Sequence, residues 1–162
     1  MSKRKRLLWK ILSVLTVLAL LFIFSNSLQS DFLVGQRKGR VMKAVETVLE
    51  WLTGRDIVFE AAHRVMFAKI GHVLEYCLFS ALFTVAVLLP YGENRKDAFY
   101  RIFYCCAFVA LADEHLQTLG VGRSPSLTDS IVDLAACYIG YGAGYVFLLL
   151  YGRRQNRIRE KA

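Results

Sequence analysis

The sequence predicts an all-α protein that crosses a membrane with four helices. Hydrophobic residues occupy 56% of its 162 positions, charged residues only 21%, and the mean hydropathy is +0.39. The formal charge is +8, and the cations flank apolar stretches instead of alternating with aromatic residues. This hydrophobicity excludes a disordered chain. The four cysteines lie in apolar runs, which disfavours a disulfide-bonded secreted domain. We therefore expect one membrane domain over residues 1–162, with membrane lipids as partners and no nucleic acid.

The first two spans are the clearest, because each approaches the 20 or so apolar residues that a transmembrane helix requires. The first covers about residues 7–25 and follows a basic start at residues 1–6. A cleaved signal peptide is the alternative for this segment, although its apolar run is long for that role. The second span covers about residues 68–89 and ends before Pro90.

The third and fourth spans differ in strength. The third covers about residues 99–119, but its charge-free part runs only from Ile102 to Ala112, so its ends must face the interface or other protein. The fourth covers about residues 127–151. It contains Gly140 and Gly144, a pair of small residues four apart that permits close approach of another helix.

The distribution of Lys and Arg predicts the orientation. With the N-terminus in the cytoplasm, thirteen of the 21 cations and only three of the 13 acids lie inside, including the basic ends 1–6 and 152–162. The outer side then carries eight cations and ten acids. We therefore expect a multi-pass protein with both termini in the cytoplasm.

The long outer loop, residues 26–67, contains an expected amphipathic helix. Its apolar residues follow helical spacing, with charged residues opposite, and Gly54 is a plausible end. The apolar positions are Val41, Val45, Val48, Leu49 and Leu52. The helix is expected either to lie on the membrane surface or to pack on the other helices.

Ionisable residues inside the spans are candidates for a functional site, because they are costly in a membrane. Together with the neutral Gln117, they fall at one end of three spans: Lys69, His72, Glu75, Tyr76, Asp113, Glu114, Asp129 and Asp133. Arg123 lies in the short loop between the last two spans. With a rise of 1.5 Å per residue, His72, Glu75, Asp113, Glu114 and Asp133 lie roughly 6–11 Å below the outer helix ends. We therefore predict a polar pocket that opens outward from the outer leaflet.

Several of these residues also have simpler interpretations. Ser126 and Asp129 fit a capping box at the start of the fourth span. Lys69 is long enough to reach the headgroups. Arg123 could be an ordinary loop residue. The cysteines are expected to be small buried hydrophobic residues. Ser25, Asn26 and Ser27 either line the pocket or end the first helix.

The pattern of these residues resembles the VanZ-like family of bacterial membrane proteins. Lys69-x-x-His72-x-x-x-Tyr76, Asp113-Glu114-x-x-Gln117 and Arg123-x-x-Ser126-x-x-Asp129 carry the resemblance, together with Phe24-Ser25 and Gly140. It covers almost the whole chain. Two positions depart from the expected pattern: Asp133 replaces an Asn of many members, and Ala136 replaces a Gly.

The resemblance implies a protein of the bacterial cytoplasmic membrane. The member that gives the family its name is linked to resistance to the glycopeptide teicoplanin, which carries an acyl tail. The first hypothesis is therefore an outer-leaflet site for a lipid headgroup, a cell-wall precursor or a glycopeptide. In it, Lys69 and Arg123 hold anionic groups and the acids hold cationic or hydroxyl groups.

The residues leave three other hypotheses open. An enzyme would use His72, Glu75, Asp113 and Glu114 for acid–base chemistry, because histidine changes charge near neutral pH. A metal-dependent form would place Zn²⁺ or Mn²⁺ among His72, Glu75 and two acids, but no spacing matches a known metal motif, so no metal or cofactor is predicted. A structural role would pair the cations with the acids to hold the helices together. A transporter lacks a charged path through the inner half.

Overall fold

Five helices make up the computed structural model, which describes residues 1, 3–29, 31–59, 61–91, 95–120, 122 and 124–159. No strand occurs in these ranges, so the predicted all-α class is confirmed. The helices are α1 (Lys3–Ser27), α2 (Asp31–Thr53), α3 (Ala61–Tyr91), α4 (Arg95–Gln117) and α5 (Leu127–Arg159).

Helix α3 is the centre of the bundle and packs most extensively against α5 and next against α1. The contact with α5 depends on two glycines. A Cβ added at Gly140 would lie 2.2 Å from the carbonyl oxygen of Cys77, and one at Gly144 would lie 2.7 Å from that of Ala81. The predicted role of this glycine pair in close helix approach therefore agrees with the structure.

An indole hydrogen bond joins α1 to the far end of α3. Proline has no N–H, so Pro90 cannot donate to the carbonyl of Ala86 one turn earlier. The indole nitrogen of Trp9 donates to that carbonyl at 3.0 Å. Helix α3 continues through Pro90 to Tyr91, two residues past the predicted end of the second span at residue 89, and it begins seven residues before the predicted start, at Ala61.

Three segments are long and apolar enough to cross a membrane: Lys3–Ser27, Lys69–Pro90 and Leu127–Gln155. Many large apolar side chains on α1 and α5 point away from the bundle, as expected where lipid is the solvent. Helix α4 is not among the three, because Arg101, Asp113 and Glu114 shorten its apolar stretch. The predicted third span is therefore not confirmed by the length and hydrophobicity of α4.

The long loop after α1 contains helix α2, which ends just before Gly54. Gly54 has a φ of 65°, and its N–H donates to the carbonyl of Glu50 at 2.8 Å, the left-handed cap typical of helix ends. Met42 is buried, whereas Trp51 is 80% exposed. The location of α2 relative to a membrane remains a prediction.

Candidate functional site

Polar side chains from four helices meet at one end of the bundle, where α1 and α4 end and α3 and α5 begin. We call this the cluster end. Its interior, the polar cluster, consists of the half-buried His72 and four buried residues: Ser27, Tyr76, Asp113 and Asp133. Asp113 is 0% exposed and Asp133 is 1% exposed. The sequence predicted that His72 and both aspartates share a depth, and the three lie together in the structure.

Both carboxylate oxygens of Asp113 accept hydrogen bonds. Its Oδ1 accepts one from the hydroxyl of Ser27. Its Oδ2 accepts one from the amide of Gln117 at 3.3 Å, one turn along α4. Ser27 is 1% exposed, so α1 contributes a buried donor directly to the site. The carboxylate is thus oriented by one residue of its own helix and one residue of α1.

Asp133 and Tyr76 each retain a polar atom that forms no hydrogen bond among the described residues. These atoms are Oδ2 of Asp133 and the hydroxyl of Tyr76, which is 0% exposed. Asp113 and Asp133 lie close enough to Tyr76 to act on it electrostatically. Buried polar groups are normally paired, so two such atoms in one cluster are unusual.

His72 lies beside the two aspartates. One ring nitrogen of His72 and one carboxylate oxygen from each of Asp113 and Asp133 lie within 4.8 Å of one another. The three residues belong to α3, α4 and α5. This arrangement can exchange protons, because an imidazole adjoins two carboxylates, and it also has the donor atoms of a metal site.

The predicted site residues Lys69, Glu75 and Asp129 form a rim around the polar cluster. The ammonium group of Lys69 lies 3.1 Å from Oδ1 of Asp129, and the side chains are 53% and 45% exposed. The amide of Asn26 donates to Glu75 at 3.2 Å. The rim is thus more open to the surroundings than the buried aspartates.

The carboxylate of Glu114 forms hydrogen bonds next to the start of α5. Its Oε2 accepts the main-chain N–H of Ser126 at 2.6 Å, and its Oε1 accepts the amide of Gln117 at 3.0 Å. The predicted capping box is therefore only half formed. Ser126 Oγ accepts the N–H of Asp129 at 3.4 Å, but Glu114 occupies the place that the acid at Asp129 would take.

Two residues of α1 enlarge the predicted site, and one predicted residue cannot be placed. The sequence left open whether Asn26 and Ser27 line the pocket or only end the first helix, and the structure shows that Ser27 contacts Asp113 and Asn26 contacts Glu75. The sequence signal for this role was their position at the predicted outer end of the first span, at the same depth as the acidic residues of the site. Arg123 lies outside the described residues.

An apolar groove between α4 and α5 begins next to the polar cluster. Leu134, which follows Asp133 directly, lines the groove, and Cys106, Cys137 and Phe103 extend it away from the cluster end. Cys106 and Cys137 are buried and Cys77 is half-buried, as predicted for small hydrophobic residues, whereas Cys105 is exposed.

The fold and the site together define an all-helical protein of the membrane type, with a buried ionisable cluster at one end of its bundle. Residues 8–150 match the VanZ/LLP1 family, and the chain belongs to that family. The predicted family resemblance is thereby confirmed. No curated protein matches the chain, and no solved structure matches it either.

Proposed function

We propose that this VanZ/LLP1 protein binds the headgroup of an amphiphile at the outer face of the bacterial cytoplasmic membrane and lowers susceptibility to teicoplanin. The observation that carries the proposal is the convergence of buried, incompletely paired polar groups from several helices at the cluster end. Ionisable groups at such positions are costly in a membrane and typically mark a functional site.

The proposed topology puts the cluster end in the outer leaflet. Helices α1, α3, α4 and α5 cross the membrane, and both termini lie in the cytoplasm. The supporting observation is the positive charge at residues 1–6 and 152–162, which marks the cytoplasmic side. Helix α2 then lies on the outer surface, where its exposed Trp51 and Leu52 contact the headgroup region.

The adjacent polar and apolar surfaces fit a ligand that has a headgroup and a chain. Asp133 belongs to the polar cluster and its neighbour Leu134 lines the groove between α4 and α5. A headgroup bound at the cluster would therefore place an acyl chain along the groove. Phospholipids, lipid-linked cell-wall precursors and acylated glycopeptides share this chemistry. Lys69 and Asp129 on the rim offer one charge of each sign to the headgroup.

A matched pair of variants on α4 tests this proposal in cells. Wild type, Asp113→Asn and Asp97→Asn are expressed at equal membrane levels in a susceptible Gram-positive host, and the minimal inhibitory concentration of teicoplanin is measured. Asp97 is exposed at the opposite end of the helix. We expect wild type and Asp97→Asn to protect and Asp113→Asn not to protect. Equal protection by all three proteins would show that the polar cluster is not required for protection against teicoplanin.

A binding measurement separates the ligand sources. The purified protein in lipid nanodiscs is titrated in turn with teicoplanin and with a lipid-linked cell-wall precursor, and binding is followed by microscale thermophoresis. Binding of teicoplanin alone identifies the antibiotic as the ligand, whereas binding of the precursor identifies the antibiotic's target. If neither ligand binds, the amphiphile proposal fails.

Catalysis on a lipid-linked substrate is the second candidate function, favoured by the position of His72 beside two carboxylates. His72 would act as the general base or acid, and Asp113 would orient it. Proteoliposomes of wild type and His72→Gln are incubated with a bacterial lipid extract, and the lipids are compared by mass spectrometry. A lipid conversion present in wild type and lost in His72→Gln would establish an enzyme.

A further inference from the structure

Three helices each direct one potential metal ligand to the same point. His72 on α3, Asp113 on α4 and Asp133 on α5 have ligand atoms that all lie within 4.8 Å of one another. Metal–ligand bonds of about 2.1 Å in a tetrahedral site put the ligand atoms about 3.4 Å apart. Binding of an ion would therefore draw these atoms together by at most about 1.5 Å, which side-chain rotation can supply.

The buried carboxylate of Asp133 supplies independent evidence for a ligand. Asp133 is 1% exposed, and its Oδ2 has no hydrogen-bond partner among the described residues. A carboxylate oxygen that is buried without a hydrogen-bond donor is unfavourable when the group is charged, and such a group is normally neutralised or bound to a cation.

Lys69 does not neutralise these two aspartates, because its ammonium group pairs with Asp129 on the exposed rim. A divalent ion between Asp113 and Asp133 would balance both carboxylates at once. The hydrogen bonds from Ser27 and Gln117 to Asp113 would orient that ligand, as supporting residues do around metal sites.

We infer that His72, Asp113 and Asp133 form a binding site for a divalent transition-metal ion, with the Tyr76 hydroxyl beside it. One imidazole and two carboxylates suit Mn²⁺ and Zn²⁺. Three protein ligands leave coordination positions for water or for an oxygen atom of a bound headgroup. The inference does not depend on the proposed function, because it concerns the ion alone. Sequence spacing showed no metal motif because each ligand comes from a different helix.

Manganese binding by the purified full-length protein tests the inference. Mn²⁺ prefers carboxylates to thiolates, so the chain's cysteines compete little. The protein in a nonionic detergent is titrated with Mn²⁺, and free Mn²⁺ is measured by its electron paramagnetic resonance signal. Asp133→Asn removes a ligand with little change in shape. Asp97→Asn is the matched control, since it makes the same change at an exposed acid at the opposite end of α4.

We expect wild type and Asp97→Asn to bind one Mn²⁺ per chain with similar affinity. The Asp133→Asn variant should bind at least about tenfold more weakly, the lower limit for loss of even a supporting residue. Mn²⁺ should also raise the unfolding temperature of wild type, because a ligand specific for the native state stabilises it. This thermal measurement uses wild type alone, so its result does not depend on whether a variant folds. Absence of binding by wild type, or equal binding by Asp133→Asn, would overturn the inference.

Discussion

The carboxylate of Glu114 caps helix α5 from the neighbouring helix, accepting the main-chain N–H of Ser126 at 2.6 Å. An acid at a helix N-terminus satisfies a free donor and interacts favourably with the helix dipole. Glu114 also accepts a hydrogen bond from Gln117. Glu114 therefore holds the loop between α4 and α5 in place. Its neighbour Asp113, in contrast, belongs to the polar cluster.

Glu114→Ala is expected to destabilise the protein by about 1 kcal/mol, a typical effect of losing a helix cap. Glu114→Gln should lower stability by less, since the amide oxygen of Gln still accepts a hydrogen bond from the Ser126 N–H and only the charge disappears. Unfolding in mixed detergent micelles, followed by circular dichroism, measures both. Equal losses for the two variants would show that the charge and not the hydrogen bond matters.

Gly140→Ala is expected to separate α3 from α5. The added Cβ would meet the main chain of Cys77 at 2.2 Å, and overpacking of this kind costs about 1–3 kcal/mol. Gly142→Ala is the control on the same helix, because nothing lies within 4 Å of its Cβ position. It should leave stability unchanged or raise it slightly. Thermal unfolding that ranks the two variants equally would contradict this packing.

Ser27→Ala is expected to lower stability by about 1 kcal/mol, because it removes the hydroxyl that donates to Oδ1 of the buried Asp113. Ser25→Ala is its control, since Ser25 is exposed two residues earlier on α1. A double-mutant cycle with Asp113→Asn isolates the interaction. Strict additivity of Ser27→Ala and Asp113→Asn would show that the two side chains do not interact energetically.

The pair formed by Lys69 and Asp129 should contribute little to stability. Both side chains are about half exposed, and exposed ion pairs are worth about 0.2–1 kcal/mol or less. We expect Lys69→Met to stay within that range and its effect to shrink as salt is added. Unfolding measured at low and high ionic strength checks this. A large, salt-independent loss would indicate that Lys69 has a structural role beyond the rim.

Trp51 reports whether α2 contacts lipid. The chain has two tryptophans, Trp9 and Trp51, and Trp51 is 80% exposed. If α2 lies on the membrane, lipids brominated near the headgroup should quench the fluorescence of wild type more than that of Trp51→Phe. Aqueous iodide should then have little effect on the difference signal. Strong iodide quenching of that signal would place Trp51 in water instead.

Sequence reasoning predicted the depth of the site but not its pairings. Helical rise and the position of each span were enough to put His72, Asp113 and Asp133 at one level. Which side chains meet across helices depends on rotation and rotamer, which one sequence does not specify. Glu114 therefore looked equivalent to Asp113, although it caps α5.

The contribution of α1 was underestimated for a related reason. Asn26 and Ser27 follow an apolar span and look like ordinary helix-ending residues. Only the packing of α1 against α3 and α4 brings Ser27 to Asp113 and Asn26 to Glu75. The glycine pair on α5, in contrast, was recognisable because backbone contact permits very few other residues there.

The indole of Trp9 and the ring of Pro90 form an epistatic pair, although they never bond to each other. Because Pro90 has no N–H, the Ala86 carbonyl lacks a donor within its own helix, and the indole of Trp9 donates to it from α1. Replacing Trp9 should be harmful while Pro90 is present and nearly neutral once an ordinary residue at position 90 restores the internal helix bond. Among related sequences, the two positions are therefore expected to change together across a separation of 81 residues.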